Sequence, residues 1–387
     1  MNSQISFDNT EIAFKSKNNG ELKKARLLFK SFDYPWLLKW GPGMAKVALN
    51  LGFKSVIKNT IFEQFCGGEN IQDCQFTINR LNASGIGTIL DYSVEGEESE
   101  SVFESTADEI VRTILAAQKQ PDSIPFAVFK VTGVIHSDLL AKMTSNTELT
   151  SPEKENWEKG VNRFFKICQT AYDCKVRLFI DAEETWLQEA IDRLAEEAMM
   201  KFNQEATIIY NTLQMYRHDR LEYLKNQIAS TTHHLGFKIV RGAYMEKERA
   251  RALEMGYNDP IQKDKSATDA DYDKAVELCL EHHLRVQICI GTHNELSSLK
   301  GTELLQKHGL KNQHPGVFFS QLLGMSDHIS YNLSNLGYNV AKYVPYGPVS
   351  AVIPYLTRRA QENSSVAGQM GRELGLIERE LKRRSKS

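Results

Sequence analysis

GTILDYSVEGEE (residues 87–98) decides between the two folds open to a chain that alternates strand and helix. Its first half is a nearly continuous apolar run, as a parallel strand covered on both faces requires. Its second half is acidic. An open doubly wound sheet that binds a nucleotide usually carries a glycine-rich turn here, whose backbone N–H groups and following helix N-terminus hold phosphate. Glu95, Glu97 and Glu98 would repel phosphate instead. The stretch reads as the first strand of a closed parallel barrel.

Working outward, strands are predicted at 87–93, 126–134, 176–181, 206–214, 237–244, 285–292, 317–323 and 339–343. Helical patterns separate them, among them 107–118, 185–202, 218–231, 272–283 and 295–309. Eight apolar strands in alternation with helices predict an α/β fold, a (βα)8 barrel. Residues 1–84 read as an N-terminal helical arm, broken at Pro35 and at Gly41, Pro42 and Gly43. Residues 85–363 form the barrel, and 364–387 a basic tail in which Leu374, Ile377 and Leu381 recur at helical spacing beside Lys382, Arg383, Arg384 and Lys386.

The last ordered run, NVAKYVPYGPVSAVIPYLTRRAQEN (residues 339–363), predicts a buried strand, a turn at Pro345 and Gly347, and a helix entered near Pro348. Val349, Val352, Ile353, Leu356 and Ala360 share one helical face. Tyr355, Arg358, Arg359 and Glu362 form a second stripe. Paired guanidinium forks can grip a carboxylate, and Glu362 can meet an ammonium, which suggests a zwitterionic ligand. The bland alternative is a solvated stripe whose Arg358–Glu362 pair is worth only ~0.3–0.5 kcal/mol.

The composition is that of an ordinary soluble globular chain, 41% hydrophobic and 25% charged over 387 residues. A formal net charge of −2 leaves no basic surplus to track nucleic acid phosphates. Its six cysteines lack metal-site spacing and read as small hydrophobes in a reducing compartment. Asp8 and Glu11 argue against a transit peptide, and no apolar run reaches the length of a membrane span. A cytoplasmic protein is expected, with at most peripheral contact at the inner face of a membrane.

Barrel enzymes build their sites at the C-terminal strand ends. Those ends carry Asp91 and Glu95, Asp181 and Glu183, Gln214, Arg241 and Tyr244, Thr292, His293 and Asn294, Gln321, and Tyr343, while Lys130 falls in mid-strand. Three chemistries fit this rim. Lys130 could form a Schiff base, or Asp181, Glu183 and His293 could bind a metal that activates water. In the third, Lys130, Gln214 and the basic residues of strand five would partner a flavin. A barrel that binds an amino acid without turning it over is the non-enzymatic alternative.

Seven motifs, RLFIDAEE (177–184), TLQMYR (212–217), KIVRGAY (238–244), GTHN (291–294), QLLGM (321–325), KYVPYG (342–347) and YLTRRAQEN (355–363), occur in an order and spacing that resemble the proline dehydrogenase family in its single-function form. The resemblance implies a distorted (βα)8 barrel that binds FAD, with the final helix over the barrel mouth. It implies oxidation of L-proline to 1-pyrroline-5-carboxylate, the first step of proline catabolism, by hydride transfer to flavin N5 with a membrane quinone as final acceptor. Arg358, Arg359 and Glu362 would then hold the substrate, Lys130 would add to the charge around it, and Asp181 would order the pocket. Tyr244, Tyr343, Tyr355 and Ile239 would shape the cavity. Gln214, Lys238, Arg241, Gly242, Ala243, Thr292, His293, Asn294 and Gln321 would serve the FAD site. Glu95 would pair with Arg358 as a gate. Lys238 stands where many bacterial members carry arginine, and Tyr343 resembles the enzymes of proline rather than those of hydroxyproline.

Overall fold

A computed structural model of the chain describes residues 5–31, 61–93, 98–352, 356 and 369–386. Eight parallel strands, adjacent in the order β1 to β8, close into a barrel. They are β1 Ile86–Tyr92, β2 Phe126–Lys130, β3 Arg177–Asp181, β4 Ile209–Gln214, β5 Leu235–Val240, β6 Val286–Gly291, β7 Val317–Leu322 and β8 Val340–Tyr346. The barrel expected from the sequence is therefore the fold observed, and the helix predicted at 185–202 is found as Thr185–Phe202.

Three C-terminal strand ends differ from expectation by more than one residue. β2 stops at Lys130, where the chain turns into a short 3-10 helix, Val131–Gly133. Lys130 is thus a strand-end residue and not a charge buried in mid-strand. β5 stops at Val240, which leaves Arg241 and Tyr244 in the loop that follows. β8 runs on through Pro345 to Tyr346, and the Pro345 carbonyl accepts from Gly67 N–H at 2.8 Å. Apolar runs mark where a strand is buried better than where its ladder ends.

Helix Ser151–Cys174 had signals of its own. Thr150 and Glu153 form a reciprocal capping box, Pro152 lies in the first turn, and Lys175 closes the helix in the left-handed conformation. Its Arg163 is buried and donates to the Val134 carbonyl (2.9 Å), Glu100 (2.7 Å) and Glu104 (2.9 Å), so it joins this helix to Glu100–Lys119.

The chain divides into two compact units, one of residues 97–320 and one of 1–96 with 321–387. In the second of these the arm and the tail belong together. Helix Asn19–Ser31 buries Leu22, Ala25 and Phe29 in a cluster with Leu376 and Ile377 of the C-terminal helix Gln369–Arg384. That helix turns Glu373, Leu376, Ile377 and Glu380 inward, with Leu374 and Leu381 only partly buried beside them. The two arginines of the basic cluster are engaged, while Lys382 and Lys386 are exposed. Arg383 and Arg384 pair with Glu380 (2.9 and 2.6 Å), Arg384 also caps the Phe14 and Lys17 carbonyls, and Arg372 and Arg379 meet Asp8.

The same unit contains a chain of buried charges. Asp327 accepts from Lys17 at 2.8 Å and from Lys342 at 2.7 Å, and Lys342 also donates to the carbonyls of Met325 (2.7 Å) and Leu322 (3.2 Å). Glu373 accepts from the Ser326 backbone N–H. Ordinarily an ammonium is not buried, and here its three donors meet three acceptors. No described helix is long and apolar enough to cross a membrane.

Candidate active site

In unit 97–320 the C-terminal ends of β2 to β6 gather the charged and amide groups. The ladders pair Lys130 with Asp181, Thr212 with Lys238, and Lys238 with Cys289. Strand register therefore puts a lysine on β2, a carboxylate beside it on β3 and a second lysine at the same level on β5, with Thr212 of β4 between them. Lys238 is 5% exposed and forms an ion pair with Asp181, above the face of Phe179 at 5.4 Å. The carboxylate offsets the cost of burying an ammonium at this depth. Ile239, the next residue, is fully buried and by strand alternation points to the other face of the sheet from Lys238.

The segment after β3 ties three strand ends together. Glu183 is 4% exposed, and its carboxylate accepts from Thr132 N–H (2.9 Å) and Thr132 Oγ1 (2.6 Å), just after Lys130. Its backbone N–H donates to Gln188, and its carbonyl accepts from the Gln214 amide at 2.7 Å. Gln214 in turn accepts from Ala243 N–H at 3.2 Å. Thr185 donates twice to the buried Glu248 on helix Met245–Met255, by N–H (2.7 Å) and hydroxyl (2.5 Å). Thr132 and Glu248 were not legible as site residues. They carry no strand-end signature, and only the fold brings them to β3.

Burial pushes the Glu183 carboxyl up to about 7, against the Lys130 charge and the Thr132 hydrogen bonds that favour ionisation, with Glu184 adding to the rise. Because the folded value lies above the unfolded one near 4.5, this group's stability contribution is complete below pH 4.5 and is lost as pH rises through 7. Glu183→Gln is therefore expected to be more stable than wild type at pH 8, by up to ~3 kcal/mol, and equal to it near pH 4.5. Urea unfolding at both pH values checks the sign. A pH-independent difference would show that Glu183 is not the titrating group.

The loop after β5 presents backbone. Gly242 and Ala243 are exposed, Gly242 has φ +130°, and a Cβ there would lie 2.6 Å from the Tyr216 ring, so only glycine fits. Arg241 stacks over Tyr272 at 4.3 Å and donates to Asp269 (2.7 Å), Thr292 (2.8 Å) and Ser297 (2.9 Å). Thr292 also accepts from Asn294 N–H, and the Asn294 side chain caps helix Glu295–Lys307 through Ser297 N–H. His293 lies half-buried between them, and Tyr244 is half-buried just before its own helix. Asp181, Glu183 and His293 do not converge as a metal site. The first carboxylate turns to Lys238 and the second to Thr132.

An exposed glycine cradle beside a guanidinium and a helix N-terminus suits a diphosphate, and an amide held at both ends suits a flavin's pyrimidine edge. The donor set on this rim fits FAD.

In unit 1–96 with 321–387, Gln321 is buried and accepts from Ser330 Oγ at 2.8 Å. Tyr343 is 7% exposed, and its carbonyl accepts from Leu323 N–H at 2.8 Å. Asp91 is buried and accepts from Ser93 Oγ at 2.9 Å. Glu95, Tyr355, Arg358, Arg359 and Glu362 lie outside the described residues.

A closed (βα)8 barrel with an ion-paired lysine, a buried amide and a glycine cradle at the strand ends has the layout of a barrel enzyme. The family model described as "Proline dehydrogenase" matches residues 74–372. The chain belongs to the proline dehydrogenase family, whose members are oxidoreductases. It is 31% identical to mitochondrial proline dehydrogenase 1 of Dictyostelium discoideum over 99% of this chain and 76% of that protein. It is also 31% identical to hydroxyproline dehydrogenase of Xenopus laevis over 96% of this chain and 88% of that protein. Among solved structures, proline utilization A of Bdellovibrio bacteriovorus superimposes with a TM-score of 0.73 at 16% identity. That likeness covers 94% of this chain and 42% of the other, and it supports the barrel fold.

Proposed function

We propose that this chain is an FAD-dependent proline dehydrogenase that oxidises L-proline to 1-pyrroline-5-carboxylate. The observation that carries the reading is the Lys238–Asp181 pair set between Lys130 and the glycine cradle at Gly242, which is one rim with a place for a charged substrate and a place for a dinucleotide. When bound, FAD supplies the acceptor for the hydride that leaves ring carbon 5. Lys130 contributes positive charge where the substrate carboxylate docks, and Asp181 holds Lys238 in place. The family resemblance adds Arg358, Arg359 and Glu362 as the grip on the zwitterion, Tyr343, Tyr355 and Tyr244 as the walls of the ring cavity, and Glu95 as the gate partner of Arg358. Gln214, Lys238, Arg241, Gly242, Ala243, Thr292, His293, Asn294 and Gln321 form the cofactor side. These groups orient the substrate and exclude water.

Electrons pass on to a quinone. Lys382 and Lys386, exposed on the C-terminal segment and less engaged than their arginine neighbours, are the groups best placed for peripheral contact with anionic lipid.

The test is an absorption spectrum of the purified protein under anaerobic conditions, before and after L-proline. Flavin bands that bleach with L-proline, and not with hydroxyproline, are expected. A protein that takes up no FAD would overturn the reading and return Lys130 to the role of a Schiff-base nucleophile. Arg358→Ala is expected to raise KM for proline by at least 30-fold, in line with ~2–5 kcal/mol for truncating one side of a desolvated charge pair. Wild-type saturation kinetics in that variant would remove the arginine from the substrate site.

A further inference from the structure

Glu183 is a buried titratable group near the rim to which neither the resemblance nor the reading above gives a task. It sits between the two halves of the site. Its carboxylate holds both the backbone N–H and the hydroxyl of Thr132, at 2.9 and 2.6 Å, and so fixes the 3-10 turn that begins right after Lys130. Its carbonyl holds the Gln214 amide at 2.7 Å, and the same amide receives Ala243 N–H from the glycine cradle. Gln188 anchors the Glu183 backbone from the other side at 2.8 Å.

We propose that Glu183 is a positioning residue that couples the two halves of the site, its carboxylate setting the turn after Lys130 and its carbonyl setting the Gln214 amide that supports the Ala243 backbone. This inference rests on the reading of the rim as a proline and FAD site. Lys130 and Glu184 are the charged groups that act on it, and Lys247 in turn pairs with Glu184. Since the carboxyl titrates near neutrality, its charge beside Lys130 changes with pH in the working range. When Glu183 ionises it offsets the lysine charge, and a bound carboxylate is held less firmly.

Two variants separate geometry from charge. Glu183→Gln keeps an acceptor for Thr132 N–H and removes the charge, and Glu183→Ala removes both. The probe is cyclopentanecarboxylate, which carries a five-membered ring and a carboxylate but no amine to titrate, measured as a competitive inhibitor of proline oxidation between pH 6 and 8.5. Affinity of the wild type is expected to weaken about fivefold through pH 7, and that of Glu183→Gln to show no such step. Glu183→Ala is expected to bind the probe at least tenfold more weakly than wild type at every pH. Its apoprotein is expected to bind FAD about fivefold more weakly, because the backbone carbonyl that alanine retains is no longer anchored through Thr132, read by quenching of flavin fluorescence, with Glu183→Gln restoring FAD affinity. A persisting step at pH 7 in Glu183→Gln, or wild-type affinity for both ligands in Glu183→Ala, would overturn the inference while leaving the functional reading intact. A wild type that takes up no FAD would overturn both.

Discussion

Asp327→Ala is expected to destabilise the protein by ~4 kcal/mol, because it breaks a buried ion pair from one side only. Asp327 is 5% exposed and its carboxylate serves two lysines at once, Lys17 at 2.8 Å and Lys342 at 2.7 Å. Lys342 is completely buried, so removal of the carboxylate strands an ammonium group with only the Leu322 and Met325 carbonyls to meet it. Burial alone would raise the Asp327 carboxyl, but the two ammonium groups override it and hold it well below the usual carboxylate range. With the folded value depressed, the contribution is full above the unfolded value near 3.8 and is lost as pH falls further. The gap between wild type and variant should thus be complete at neutral pH and narrow under acid. Urea denaturation at pH 7, with the slope unchanged, gives the magnitude. A loss below about 1 kcal/mol would mean that the lysines find other acceptors.

Lys238→Met should cost ~3 kcal/mol, the lower end for a broken buried pair because the Asp181 side chain retains 16% of its exposure. The more informative variant is the double one. Asp181→Asn combined with Lys238→Met removes both charges, and a neutral pair of similar volume is often tolerated where a lone charge is not. The double variant should recover at least half of the loss, a coupling of more than about 1 kcal/mol in a double-mutant cycle. Additive losses would show that the two side chains act independently. FAD affinity of the apoprotein measured on the same variants would separate support of the barrel wall from support of the cofactor.

The strands were legible because a parallel barrel strand is covered on both faces and therefore has an unbroken apolar run, as in Phe126–Phe129 and Leu178–Ile180. Their ends were less so. Val131 to Val134 are as apolar as a strand, yet the chain turns at Lys130, where Glu183 captures Thr132. That contact joins residues 51 apart in the chain, and no local pattern encodes it. The polar rim could be seen because charges at the ends of apolar runs stand out. Its wiring could not, since Glu248 reads as one more carboxylate on a charged helix until Thr185 is placed against it. The tail misled for a related reason. Leu374, Ile377 and Leu381 suggest a face, but the face that packs is centred on Leu376 and Ile377 and includes Glu373 and Glu380, two carboxylates that hydrophobicity alone would turn to solvent.

The composition of the discontinuous unit bears on how the protein is made. Helix Gln369–Arg384 is held by the N-terminal segment, with Thr10 donating to Glu380 at 2.9 Å and Arg384 donating to the Phe14 carbonyl at 2.9 Å, and β1 pairs with β8 from Ile86 opposite Val340. During synthesis, residues 97–320 are continuous and can begin to fold as they emerge. The arm and β1 leave the ribosome before that stretch but must wait for helix Gln369–Arg384 and β8, which follow it, before their apolar faces are covered. Loop-closure entropy falls on this late step, so refolding should show a slow phase assigned to the union of the two segments of this unit. During that wait Leu22, Ala25 and Phe29 are the surface a chaperone would meet.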